Sequence, residues 1–183
     1  MSLALRVLKI YAPPAFKRIT LLELYRATAR AFDVAPPAGL GRLSHAALLE
    51  SYAVFTKDEA ERILPDPGRT ALVEERLYRE TRALGERLRR ALKLRTSGEI
   101  MAASKMLYAA LGIDFEGREP GEVTIRRCYF SRFYSGQICQ VMSAMDRGLL
   151  AGLANGGQLV FSSRITEGQP CCRARFALGG DRE

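Results

Sequence analysis

The sequence predicts an α+β fold, in which a helical N-terminal two-thirds packs on a small C-terminal antiparallel sheet of β-α-β-β order. The first observation behind this is the run 70–93, where Val73, Leu77, Leu84, Leu88 and Leu92 recur at helical spacing with Glu and Arg between them. The second is a change of texture at Glu116-Gly117-Arg118-Glu119-Pro120-Gly121, after which β-branched and aromatic residues crowd positions 123–130. The third is a pair of strand-like runs, 159–165 and 171–178, around the turn Thr166-Glu167-Gly168-Gln169-Pro170.

Each element follows in chain order. Leu21, Leu22, Leu24, Tyr25 and Phe32 mark a helix that ends before Pro36-Pro37. Ser44 suits the N-cap of a short helix through Phe55, with His45, the single histidine, just inside it in a structural or exposed role. Thr56-Lys57-Asp58-Glu59 reads as a capping box opening another short helix that stops before Pro65. Pro65-Asp66-Pro67-Gly68 then breaks the chain ahead of the long helix 70–93. On that helix Glu75 and Arg79, and Glu86 and Arg90, stand four apart in the favourable orientation. A helix from 98 to 111 is stopped by Gly112. After the strand 123–130 comes a helix, 135–154, with Ile138, Met142, Met145, Leu149 and Gly152 on one face, ended by Asn155-Gly156-Gly157. Residues 1–115 thus form a helical region and 121–178 a β-α-β-β unit. So small a sheet needs the helices to cover it, so the two make one compact domain.

The chain of 183 residues is long enough for one substantial core. No apolar run reaches the roughly 18 residues that cross a bilayer. The first twelve residues are interrupted by Arg6 and Lys9 and lack a small-residue cleavage site, so a cytoplasmic location is expected. The net charge of +8 invites an anionic partner, yet residues 1–120 hold 20 basic and 15 acidic groups and residues 121–183 hold 8 and 5. The excess is spread along the chain, which argues against nucleic acid as the partner. Its densest cluster, Arg87, Arg89, Arg90, Lys93 and Arg95, reads as a solvated helix face. The long amphipathic helix is suited to a homodimer contact.

All four cysteines lie in the C-terminal unit, at Cys128, Cys139, Cys171 and Cys172. A reducing compartment disfavours structural disulfides and leaves free thiols, a metal site or a nucleophile. The spacings do not match the short C-x-x-C knuckles of a zinc ribbon, so any cluster has to be gathered by the fold. Strand alternation sends Cys171 and Cys172 to opposite faces. Cys172, in step with Ala174 and Phe176, is the inward one, and Cys171 goes with Arg173 and Arg175. On the helix, Cys139, Ser143 and Asp146 occupy one polar stripe beside the apolar face. Arg126 and Arg127 precede Cys128, and neighbouring cations lower a thiol pKa. Tyr129 and Tyr134 add proton donors. Asp146, Glu167 or a bound metal are the groups suited to activating water.

Four segments resemble the L-2-amino-thiazoline-4-carboxylic acid hydrolase family: Arg127-Cys128-Tyr129-Phe130, Ser143-Ala144-Met145-Asp146, Leu159-Val160-Phe161, and Gly168 through Cys172 to Phe176. They are similar in order to that family's Arg-Cys strand, Cys-x-x-Asp helix and Leu-x-Phe…Gly-x-x-x-Cys-x-x-x-Phe hairpin. The chain departs from the pattern in carrying Ser143 where the helix cysteine is expected, with Cys139 one turn earlier, and in doubling the final cysteine. The resemblance implies hydrolysis of a C–N bond in a cyclic amidine or related small heterocycle. Cys128, Cys139 and Asp146 would then be catalytic, and Arg126, Arg127 and Tyr129 would hold the substrate. More distantly the hairpin resembles vinyl-reductase-type small-molecule-binding domains. That implies a non-enzymatic sensor or carrier binding zinc, another divalent metal or an iron–sulfur cluster through Cys128, Cys139, Cys171 and Cys172.

Overall fold

The computed structural model describes residues 14–178. Helix α1 spans Pro14–Phe32, and its buried positions Leu21, Leu24, Tyr25, Thr28 and Phe32 repeat every three or four residues. Helix α2, His45–Ile63, opens on Ser44, whose hydroxyl accepts the Ala47 N–H at 3.2 Å. It continues unbroken through Thr56, so the expected capping box at 56–59 does not form. Leu48, Leu49, Tyr52, Ala53, Thr56, Ala60 and Ile63 make one buried stripe, and a break at Thr56 would have split it. The Thr56 hydroxyl instead donates back to the carbonyls of Tyr52 and Ala53 at 2.8 and 3.2 Å.

Helix α3, Pro67–Leu92, is capped by Asp66, which accepts the Arg69 N–H at 3.0 Å. A capping box does occur at the next helix, α4, Ser97–Ala110: Glu99 accepts the Thr96 N–H, and the Thr96 hydroxyl accepts the Glu99 N–H. At its far end the His45 ring meets the Ala110 carbonyl at 2.8 Å, which gives the histidine its structural role.

Strand β1, Ile113–Arg118, follows directly and is absent from the sequence reading. Its inward positions, Ile113 and Phe115, alternate with Asp114 and Glu116, but six residues beside a glycine-rich turn carry little periodic signal. Strand β2 is Glu122–Cys128, helix α5 Gly136–Ala154, strand β3 Gly157–Ser163 and strand β4 Cys172–Leu178. Short 3₁₀ turns at Tyr129–Arg132 and Ile165–Glu167 occupy what the sequence suggested as strand ends. The four strands are all antiparallel in the order β1-β2-β4-β3, so the last strand lies between β2 and β3. At Gly121 (φ 97°) a Cβ would meet the Phe176 carbonyl oxygen at 2.1 Å, and the Gly121 carbonyl accepts the Phe176 N–H at 2.7 Å. Glycine therefore lets β4 approach the turn before β2.

One face of the sheet (Ile113, Phe115, Val123, Ile125, Leu159, Cys172, Ala174 and Phe176) is buried, and these residues share one apolar cluster with the helices. The other face carries the exposed Val160, Arg173 and Arg175, the half-exposed arrangement typical of antiparallel sheets. Helices α3 and α5 meet backbone to backbone. A Cβ on Gly148 would fall 2.2 Å from the Tyr78 carbonyl oxygen, and one on Gly85 would fall 2.4 Å from that of Leu149. Thr81 closes the contact by donating to the Met145 carbonyl at 3.0 Å. Val73, Leu77 and Leu84, the apolar face that suggested a homodimer, are thus covered within the chain. No helix among the described residues is long and apolar enough to cross a membrane.

Candidate functional site

The inner face of the sheet, helix α4 and helix α5 bring together side chains that are far apart in sequence. Asp146 comes from the middle of α5 and Tyr108 from the last turn of α4, where its hydroxyl donates to the Asp146 carboxylate at 2.8 Å. The carboxyl is pushed up to about 6, because burial outweighs the Tyr108 hydrogen bond and the positive fields of Arg164 and Arg147. An aspartate titrating there is available as both acceptor and donor of a proton at neutral pH.

Three of the four cysteines lie within reach of its charge. Cys128 ends β2, and its thiol is pushed up to about 12, mainly by burial and further by Asp146 and Cys139, although the N–H groups of Phe130 and Ser131 oppose the shift. Cys139, one helical turn into α5, is also raised, mainly by burial and further by Asp146 and Cys172, against the field of Arg164. Cys172 opens β4 on the inward face as expected and accepts the Ile165 N–H at 3.3 Å; burial raises it as well. The expectation that Arg126 and Arg127 would lower the Cys128 thiol is therefore corrected. Both guanidiniums are exposed, with Arg126 3.1 Å from Glu116 and Arg127 4.0 Å from Asp114, and burial dominates at the sulfur.

Arg164 completes the cluster and was missed in the sequence. Its side chain is only 17% exposed; the guanidinium sits over the Phe161 ring at 4.9 Å, 3.5 Å from the Ser143 hydroxyl and 3.6 Å from Glu167. Its Nε is buried without a hydrogen-bond partner. Ser143 donates to the Cys139 carbonyl at 2.7 Å, which leaves its lone pairs facing the guanidinium. Tyr134 is hydrogen-bonded to Thr56, and its hydroxyl is pushed well above the ordinary tyrosine range, mainly by burial.

The remaining predicted residues stand apart. Tyr129 is half-buried in an aromatic group with Phe130 and Phe133, with Arg132 stacked on it at 4.0 Å. Cys171 lies at the turn before β4, where its carbonyl accepts the Ser163 hydroxyl, and strand alternation separates it from Cys172. Glu167 accepts from Gln140 at 3.1 Å and faces solvent beyond Arg164. A surface hollow of about 550 Å³ lies on the opposite, outer face of the sheet, bordered by Thr124, Gln158, Arg173 and Arg175, and does not coincide with this cluster.

Among the described residues no three His, Cys, Asp or Glu side chains are arranged to hold a metal ion. The arrangement is instead that of a buried carboxyl held by a tyrosine hydroxyl, under the positive fields of Arg164 and Arg147, with protonated thiols in its vicinity. No protein-family model matches the chain, and no curated protein matches it significantly.

Proposed function

We propose that the protein is a hydrolase-like enzyme that opens a C–N bond in a cyclic amidine or related small heterocycle, with Asp146 as its acid–base group. The observation that carries this reading is the carboxyl of Asp146, raised to about 6 and held by the Tyr108 hydroxyl at 2.8 Å. In its ionised form Asp146 takes a proton from water as the water oxygen bonds to the amidine carbon. The same proton then passes to the ring nitrogen as the C–N bond breaks. Water is the nucleophile in this scheme, because thiols biased toward their protonated form attack poorly. In this scheme Cys128, Cys139 and Cys172 would neighbour the reacting carbon as protonated thiols. Arg164 takes the anion-holding part that the resemblance assigned to Arg126 and Arg127, since it alone of the three stands beside Asp146. No step runs through zinc or an iron–sulfur cluster.

A second reading, a carrier or sensor of the vinyl-reductase-domain type, draws support from the uncharged thiol lining, which suits holding a small molecule unchanged. Turnover separates the two. With 2-amino-thiazoline-4-carboxylate and related cyclic amidines as substrates, kcat/KM rises with pH through about 6 as Asp146 ionises. Asp146→Asn lowers kcat roughly 10²- to 10⁴-fold, the usual scale of general acid–base catalysis. Binding of these compounds without turnover, unaffected by Asp146→Asn, would favour the carrier.

A further inference from the structure

The solvent face of α3 carries a charge pattern that the site does not use. Arg79, Arg82, Glu86, Arg89, Arg90 and Lys93 follow one another at spacings of three or four, or as the adjacent pair Arg89-Arg90, and so share one side of the helix over about 21 Å. The pairing within this stripe is not the one expected from sequence. Glu86 is taken by Arg82 at 3.1 Å, leaving Arg90 without it. Arg87, beside the stripe, reaches Glu23 at 3.6 Å. Among the described residues no carboxylate lies within ion-pair distance of Arg79, Arg89, Arg90 or Lys93. All four are exposed or half-exposed, and Arg95 adds an exposed cation just past the helix end. The helix dipole accounts for cations in the last turn, but not for Arg79 three turns earlier or for Arg95 beyond the cap.

We propose that this stripe docks on the phosphate backbone of a nucleic-acid duplex. Guanidiniums dominate it, and their planar fork matches phosphate oxygens bidentately. A duplex presents a charge about every 1.7 Å of its axis, so a row of four uncompensated cations meets phosphates along its whole length and releases their counterions. An anionic membrane is the poorer fit, because a helix lying on a bilayer inserts large apolar residues beside its cations. The exposed large hydrophobic of α3, Leu72, stands at the opposite end of the helix. A single strand is also a poorer fit, since the stripe holds no aromatic ring on which bases could stack.

The test is fluorescence anisotropy of the full chain with a labelled duplex of roughly 20 base pairs. For four neutralised phosphates the logarithm of the binding constant falls with that of salt at a slope of about −3.6, a loss of roughly 150-fold between about 50 and 200 mM. Replacing Arg89, Arg90 and Lys93 together by Gln flattens the slope to about −1. A second variant, Arg126→Gln with Arg173→Gln and Arg175→Gln, removes the same charge from the outer face of the sheet and leaves both affinity and slope nearly unchanged. Equal weakening by the two variants would reduce the effect to bulk charge and overturn the proposal. So would a duplex slope no steeper than about −1, or binding confined to phosphatidylserine vesicles.

Discussion

Asp146 is stabilised in the proton-bound form by the fold, and this has a thermodynamic consequence. Its pKa of about 6 in the folded chain exceeds the ordinary aspartate value, so between the two values the folded state binds more protons than the unfolded one. Stability contributed by this group is therefore present at low pH and is lost as pH rises from about 4 through about 6. Asp146→Asn removes the penalty and can still accept from Tyr108. Urea denaturation is expected to show the variant as the more stable protein at pH 8, with the gap closing toward pH 4. The reverse order would mean that the carboxylate is well solvated. The cysteines carry a parallel expectation. A thiol near 12 holds on the order of a thousandfold less thiolate at neutral pH than an ordinary cysteine. Iodoacetamide should accordingly label Cys128 much more slowly in the native protein than in denaturant, as mass spectrometry of the tryptic peptide would report; equal rates would contradict the burial of the sulfur.

At the scale of elements, the contact between α3 and α5 determines where Asp146 stands. Gly85, Gly148 and Gly152 let the two backbones touch, and any side chain at Gly148 would have to displace the Tyr78 carbonyl and the Thr81 hydroxyl. Gly148→Ala should destabilise by about 1–3 kcal/mol, the cost of overpacking, and lower the melting temperature by roughly 2–12 °C for a chain of this size. A melting temperature unchanged by the substitution would show that the helices can separate freely. Elements with a long repeating pattern were legible from residues alone: α3 and α5 appear with nearly their observed bounds because each offers several turns of apolar periodicity. Thr56-Lys57-Asp58-Glu59 misled because local capping chemistry is weaker than the buried stripe running through it. Strand β1 escaped because pairing with β2, and not its own six residues, makes it a strand.

For the whole molecule, the antiparallel sheet under helices followed from the order of elements, and the inward position of Cys172 followed from strand alternation. Arg164 did not. Its value lies in being only 17% exposed and in facing Ser143, twenty-one positions earlier, and nothing in its own neighbourhood of sequence signals either. Arg126 and Arg127 drew attention by adjacency to Cys128, but the β1–β2 register shifts between the Phe115–Ile125 and Ile113–Cys128 pairs, and both arginines in that stretch ended in solvent. Position in space, set by register, decided which arginine could meet the carboxylate.

Because Cys172–Leu178 lies between β2 and β3, both neighbours wait for it. During synthesis all five described helices and three of the four described strands emerge before the segment that joins them. Until that moment β3 has no ladder partner, and the inner-face side chain of Cys172 is missing. Assembly of the site is thereby deferred until that strand emerges, and a nascent chain cut short of it would hold Asp146 and Arg164 without the inner-face side chains of β4.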